Sequence, residues 1–221
     1  MRNRIAVFDL DETIIRQKSM LSVVRQYFEL GSDIEKSRDV GFTDFMDHIS
    51  KFVESNEGRQ QQNRYFYHLM SGFERQRIRR AAEAWFLREK YAIYNDAVVA
   101  ELKRHRDNGT LIVVVTGSFF DAVLPIKNDL GIDYVLCVNQ EIENGCYTGR
   151  IFGSPVIGVG KAEALASFVK EHQVNMKDSY GYGDHISDVA MLELVDHPCA
   201  VGNSVELKKL AVSRGWQCLD F

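Results

Sequence analysis

The stretch Ile5 to Thr13, I-A-V-F-D-L-D-E-T, constrains this chain more than any other. Ile5, Ala6, Val7 and Phe8 run without polar alternation, which predicts a short strand buried on both faces, as in a parallel sheet covered by helices. Asp9 and Asp11 follow where that strand ends. In an open α/β sheet, ligands bind outside the carboxyl ends of the strands. Two carboxylates held that close repel each other unless a cation or a shared proton compensates. A hard cation with oxygen ligands, Mg2+ first, answers that repulsion. On this reading Asp9 is a metal ligand and a candidate nucleophile, and Thr13 supplies a hydroxyl for the turn or for a phosphate oxygen. The stretch alone fits equally well an acidic turn that merely caps a following helix.

The texture then turns helical. Ile14 to Leu30 carries Leu21, Val24, Tyr27 and Phe28 at helical spacing and stops at Gly31. Phe42 to Val53 repeats the pattern with Phe42, Phe45, Met46, Ile49 and Phe52. Asn56 to Asn63, N-E-G-R-Q-Q-Q-N, reads as a solvated face or loop. Arg64 to Met70 is aromatic, Ser71-Gly72 breaks it, and Phe73 to Arg88 is a charged helix carrying Ile78, Ala81, Ala82, Trp85 and Phe86. Aromatic stripes at this spacing read as core.

From Tyr94 onward helices and strands alternate. Asp96 to Arg106 is a helix ended by Asn108-Gly109. Leu111 to Val115 is a buried strand ending at Thr116-Gly117-Ser118, followed by a helix from Phe119 to Leu130. Tyr134 to Val138 is a strand, and Asn144-Gly145 within Glu141 to Phe152 signals a hairpin. Gly160 to Glu171 is a helix beginning at Lys161. Ser179 to Gly183 is a strand ending at Asp184, and Ile186 to Val195 a helix. Pro198 to Val201 is a strand, Val205 to Arg214 the last helix, and Cys218 to Leu219 an edge strand. Such alternation predicts an α/β fold with a doubly wound parallel sheet, interrupted after its first strand by a helical insert.

Composition narrows the function. The 221 residues suit one domain with an insertion, or one large and one small domain. A net charge of −4 leaves no polybasic footprint for nucleic acid or membrane. The longest apolar runs, such as Leu111 to Val115, are too short to span a bilayer. Met1-Arg2-Asn3-Arg4 leads directly into the first strand without a signal-peptide pattern, so a cytoplasmic protein is expected. Cys137, Cys146, Cys199 and Cys218 have no C-x-x-C spacing, which argues for reduced thiols and against a zinc site.

Parallel strands would gather Asp9, Asp11, Thr116, Ser118, Lys161, Asp184 and Asp188 at one sheet edge. Asp9 and Asp184 can hold Mg2+. Thr116, the backbone N–H groups around Gly117 and the Lys161 ammonium can hold phosphate oxygens. Asp11 remains near the nucleophile with no obvious partner, which suits a general acid/base. Together these describe a phosphoryl-transfer site working through an aspartyl phosphate. Each part has a plainer reading: a simple turn at Thr116-Gly117-Ser118, a solvated first-turn Lys161, and Asp184 and Asp188 sharing a surface helix face. Their order, each at a strand end or helix start, favours the joint reading.

The segments D-L-D-E-T, V-V-T-G-S, the Lys in G-V-G-K-A, and G-D-H-I-S-D-V-A-M-L resemble the four motifs of the haloacid dehalogenase superfamily. They are most similar to its phosphoserine-phosphatase-like branch, which carries a helical cap after the first motif. The ending L-A-V-S-R-G-W-Q-C-L-D is similar to that branch too. The resemblance implies a Rossmann-like core over 1–14 and 92–221 with a cap over 15–91. It implies Asp9 as nucleophile and Asp11 as acid/base. Mg2+ would be held by Asp9, the Asp11 backbone carbonyl and Asp184, supported by Asp188. Thr116, Gly117 and Lys161 would bind phosphate. The implied activity is Mg2+-dependent hydrolysis of a small cytoplasmic phosphomonoester. A phosphotransferase would use the same residues, and a specific phosphoserine phosphatase is a narrower alternative. A receiver-like signalling or binding module is disfavoured by the G-D-x-x-x-D turn and the large insert. Three places depart from the pattern. Glu12 stands where many members have a small residue, and His185 and Ser187 stand where phosphoserine phosphatases have Gly and Asn. Lys18 occupies the position of a Glu that receives the substrate ammonium, which makes it a candidate for substrate selectivity.

Overall fold

In a computed structural model of the chain, which describes residues 4–31, 41–54 and 58–220, the first strand lies in the middle of the sheet. The strands are β1 (Ile5–Phe8), β2 (Leu111–Phe119), β3 (Tyr134–Glu143), β4 (Cys146–Phe152), β5 (Tyr180–Gly183), β6 (His197–Val201) and β7 (Gln217–Leu219). They are ordered β4-β3-β2-β1-β5-β6-β7, parallel throughout except for the β3–β4 hairpin. Ile5, Ala6, Val7 and Phe8 are fully buried, as the unbroken apolar run requires. The chain leaves β1 on one side for β2 and β3 and returns to its other side at β5. The carboxyl end of β1 therefore opens where the connections diverge, the place where open sheets bind ligands.

Helices α1 (Ser19–Gly31), α2 (Phe42–Glu54), α3 (Arg59–Leu69) and α4 (Arg75–Glu89) form the insert between β1 and α5 (Asp96–Asp107). The remaining helices are α6 (Phe120–Leu130), α7 (Val159–His172), the single turn α8 (Val189–Leu192) and α9 (Val205–Arg214). The aromatic stripes of the insert are core, continuous with that of the sheet: Phe45 and Phe66 are 2% exposed and Trp85 1%, and Tyr27 stacks on Phe73 at 4.5 Å. Two chain crossings join insert and sheet as a hydrogen-bonded neck, with Arg16 N–H on Ile93 O at 2.7 Å and Asn95 N–H on Ile14 O at 2.9 Å. The insert also leans on β4, where Gly72 N–H donates to Tyr147 O and Tyr147 N–H to Phe73 O. Behind that seam the buried Asp121 of α6 accepts from Arg75 (2.6 Å), Arg79 (2.8 Å) and Tyr147 (2.6 Å). Burial alone would push its carboxyl up. The donors more than offset this and hold it below the ordinary carboxylate range.

The structure corrects several boundaries. Ile14 to Lys18 is not helical but forms the neck, and α1 begins at Ser19. The polar run from Asn56 is not a loop where described: α3 starts at Arg59, while residues 56 and 57 lie outside the described residues. Arg59, Gln60, Gln61 and Arg64 are exposed, as a solvated face would be, while Asn63 turns inward and is 5% exposed. β2 continues through Thr116 to Phe119, with its register against β3 shifting between Val115 and Phe119. The run from Ile186 is a 3-10 turn (Ile186–Asp188) and then α8, which ends at Leu192 rather than Val195. Its start is set by a reciprocal cap, with Ser187 N–H on His185 Nδ1 and His185 N–H on the Asp188 carboxylate. The Asn144-Gly145 hairpin forms as expected, both residues at positive φ. Among the described residues no helix is long and apolar enough to cross a membrane.

Candidate active site

Asp9 is the first residue past β1, fixed by its N–H on Tyr182 O at 2.9 Å. Its carboxylate is buried and meets Lys161 Nζ at 2.6 Å. Lys161, in the first turn of α7 and 4% exposed, meets Asp188 at the same distance. Asp184 follows β5 and accepts from the Thr13 hydroxyl at 2.8 Å. Thr13 thus holds the turn by orienting a carboxylate. Gly183 lets the loop fold this tightly, since a Cβ there would stand 2.7 Å from the Asp188 Cβ.

Asp9, Asp184 and Asp188 offer carboxylate oxygens within 4.8 Å of one another. Burial, then Asp188 and Asp184, push the Asp9 carboxyl up to about 8 against the pull of Lys161. Burial and Asp188 raise Asp184 as well. Burial would lower Lys161, but Asp188 and Asp9 overcome it and keep the ammonium charged. One cation among three carboxylates, two of them buried and Asp184 partly so, leaves an excess of negative charge. An all-oxygen donor set with that excess fits a hard divalent cation. Asp188 belongs to the cluster itself, and Asp11 contributes no carboxylate to it.

Asp11 has a partner that the sequence did not show: its Oδ1 accepts from Ser19 N–H at 2.9 Å, at the start of α1. Burial raises its carboxyl to about 7, with the Ser19 bonds pulling the other way. Ser19 Oγ in turn lies 2.8 Å from Ser118 Oγ. Thr116 and Gly117 line, with Asp9 and Lys161, a cavity of about 110 Å3, which Glu12, Lys18, Arg59, Asn63 and His185 also border. Lys18 is half-exposed and lies 3.6 Å from the Glu12 carboxylate. Glu12 itself has φ +65°.

Asp9, Asp11, Lys18, Thr116, Gly117, Lys161, Asp184 and Asp188 all border one cavity, whereas Thr13 and Ser118 do not line it. The sequence reading missed α3. Arg59 reaches His185 Nδ1 at 2.6 Å, Gln60 donates to Ile157 O and Arg64 to Gly153 O. Asn63 and Tyr67 both donate to Gly117 O. Their spacing at 59, 63 and 67 was the available signal, a polar stripe at helical period. A larger hollow of about 1300 Å3, lined by Tyr27, Phe45, Phe73 and Arg77 among others, carries none of the predicted site residues.

The model of the haloacid dehalogenase-like hydrolases matches residues 6–193. A probable phosphatase of Mycobacterium tuberculosis is 30% identical, over 98% of this chain and 75% of that protein. A histidinol-phosphatase of Neisseria meningitidis is 26% identical over the full length of both. A protein of unknown function from Bordetella pertussis superposes with a TM-score of 0.86 at 24% identity, over 100% of this chain and 99% of that one. A phospho-aspartyl intermediate analogue of phosphoserine phosphatase superposes at 0.68 and 21% identity, over 99% and 94%.

Proposed function

The chain belongs to the haloacid dehalogenase-like hydrolases, and from that premise we propose a Mg2+-dependent phosphatase of small cytoplasmic phosphomonoesters that works through an aspartyl phosphate on Asp9. The observation that carries this is the close-set cluster Asp9, Lys161, Asp184 and Asp188, which lines one cavity together with Thr116. In this reading α1–α4 are a cap over the core.

Asp9, Asp184 and Asp188 would hold the cation, which when bound lowers the Asp9 pKa and offsets phosphoryl charge. Lys161 and the Thr116 hydroxyl bind phosphoryl oxygens, with Gly117 backbone beside them. An Asp9 oxygen attacks phosphorus. The ester P–O bond breaks, and its electron pair leaves on the leaving-group oxygen, which takes the proton of the Asp11 carboxyl. Asp11, now a carboxylate, takes a proton from water as that water's oxygen attacks phosphorus and the P–O bond to Asp9 breaks. Burial supports the first role, because it favours the protonated form of Asp11.

The cavity rim selects the substrate. Lys18 and Arg59 are cationic, so a leaving group bearing a carboxylate or second phosphate is the favoured class, and an ammonium is disfavoured. A second reading, an amino-alcohol phosphate, draws on the histidinol-phosphatase relative and on Glu12, which could receive the ammonium. Comparing kcat/KM for phosphoserine and histidinol phosphate with that for glycerol phosphate and a phosphorylated hydroxy acid separates them.

The test of the reaction is p-nitrophenyl phosphate hydrolysis with and without a chelator. Turnover is expected to vanish on chelation and return with Mg2+, and Asp9→Asn should lose several decades of rate. Near-wild-type turnover of Asp9→Asn, or full activity in excess chelator, would overturn the proposal.

A further inference from the structure

The Gly117 carbonyl accepts two hydrogen bonds from α3, from Asn63 Nδ2 at 2.9 Å and from the Tyr67 hydroxyl at 2.7 Å. The peptide is planar, so this oxygen and the Ser118 N–H turn as one body. That N–H donates to Thr116 Oγ1 at 3.1 Å. With an acceptor position of the hydroxyl so occupied, its single proton remains to be donated, and Thr116 lies on the cavity beside Asp9 and Lys161. The other side of the peptide is closed as well. A Cβ at Gly117 would stand 2.6 Å from Ile157 Cγ1, so only glycine fits between Ile157 and α3.

Asn63 is 5% exposed, and its Oδ1 has no hydrogen-bond partner. Flipping the amide would set that oxygen against the Gly117 oxygen, so the carbonyl fixes the amide's sense. The fold leaves a buried acceptor unmet and keeps the donor on Gly117. Tyr67 is fully buried and does not border the cavity. Its hydroxyl reaches the phosphate-facing loop through the Gly117 carbonyl.

We propose that Asn63 and Tyr67 are positioning residues that clamp the Gly117 peptide and so aim the Thr116 hydroxyl at the phosphoryl group. Docking of α3 then sets the site's affinity for phosphate. This rests on Thr116 being a phosphate ligand, as read above.

The probe is inorganic phosphate titrated calorimetrically into the Mg2+-loaded protein, with a thermal melt of each variant. Tyr67→Phe keeps the ring and removes one neutral hydrogen bond, so phosphate affinity should fall about fivefold. In Thr116→Val, which removes the hydroxyl at nearly constant shape, adding Tyr67→Phe should change phosphate affinity no further. In Thr116→Ser, which keeps the hydroxyl, the Tyr67→Phe loss should reappear. Equal losses in the Thr116→Val and wild-type backgrounds would overturn the inference, as would an unchanged affinity in Tyr67→Phe. Asn63→Ala runs the same cycle if Tyr67→Phe melts early. A wild-type protein that neither binds phosphate nor hydrolyses p-nitrophenyl phosphate would overturn the phosphatase reading, and this inference with it. Activity with an additive cycle overturns only this inference.

Discussion

Glu12 holds a left-handed backbone, φ +65°, that favours glycine, and its carboxylate faces Lys18 at 3.6 Å on the cavity rim. Glu12→Gly would relieve roughly 1 kcal/mol of backbone strain while adding freedom to the unfolded chain, so little change in melting temperature is expected. The same change frees Lys18 of its partner. The kcat/KM ratio of an anionic to an ammonium-bearing substrate should therefore rise severalfold; a falling ratio would show that Lys18 does not face the leaving group. At this scale the sequence was most legible where chemistry and strand ends coincide. Asp9, Thr116, Lys161 and Asp184 each stand beside a glycine or an apolar run that marks a loop at the sheet edge. Ser19, Asn63 and Tyr67 were not legible. The spacing of 59, 63 and 67 marks a helix face but not what it meets: Ser19 bonds to the Asp11 and Ser118 side chains and Asn63 and Tyr67 to the distant Gly117 carbonyl, and Asn63 stands in a polar run that reads as solvated.

Among elements, the contact of α4 with α6 rests on Asp121, which is 4% exposed and ringed by Arg75, Arg79 and Tyr147. Removing the charge leaves two half-exposed guanidinium groups facing a neutral amide. Asp121→Asn should cost about 2 kcal/mol, below the loss typical of a fully buried pair because water screens both arginines. Urea unfolding would read this. Hydrogen exchange should also quicken in α4 before it does in β1 or β2, and uniform quickening would argue against a local seam. The sequence showed α4 clearly, since its buried Ile78, Ala81, Ala82, Trp85 and Phe86 keep a helical period. It did not show where α4 docks, because Arg75 and Asp121 are distant in sequence and each reads alone as a surface charge. The short 3-10 turn after β5 was read as a helix for a related reason: apolar spacing does not register a cap made by His185 and Asp188.

For the molecule as a whole, pH acts through His105, buried beneath β1 and β5 with its Nε2 2.9 Å from the Tyr182 hydroxyl. Burial, and then Arg104, push its pKa from 6.5 down to about 4. Between those values the unfolded chain binds the proton and the folded one does not, so stability rises with pH. The contribution is complete above about pH 6.5 and is lost as pH falls toward 4, on the order of 3 kcal/mol. His105→Gln should flatten the stability profile between pH 7 and 4.5 relative to wild type, and parallel profiles would exclude this role. The neck has a different consequence. The chain leaves the sheet at Ile14–Arg16 and comes back at Ile93–Asn95, and these two passes are bonded to each other. To the sheet, everything between them is a loop whose ends are already tied. What lies beyond the knot can therefore be lengthened, shortened or exchanged without renegotiating strand register.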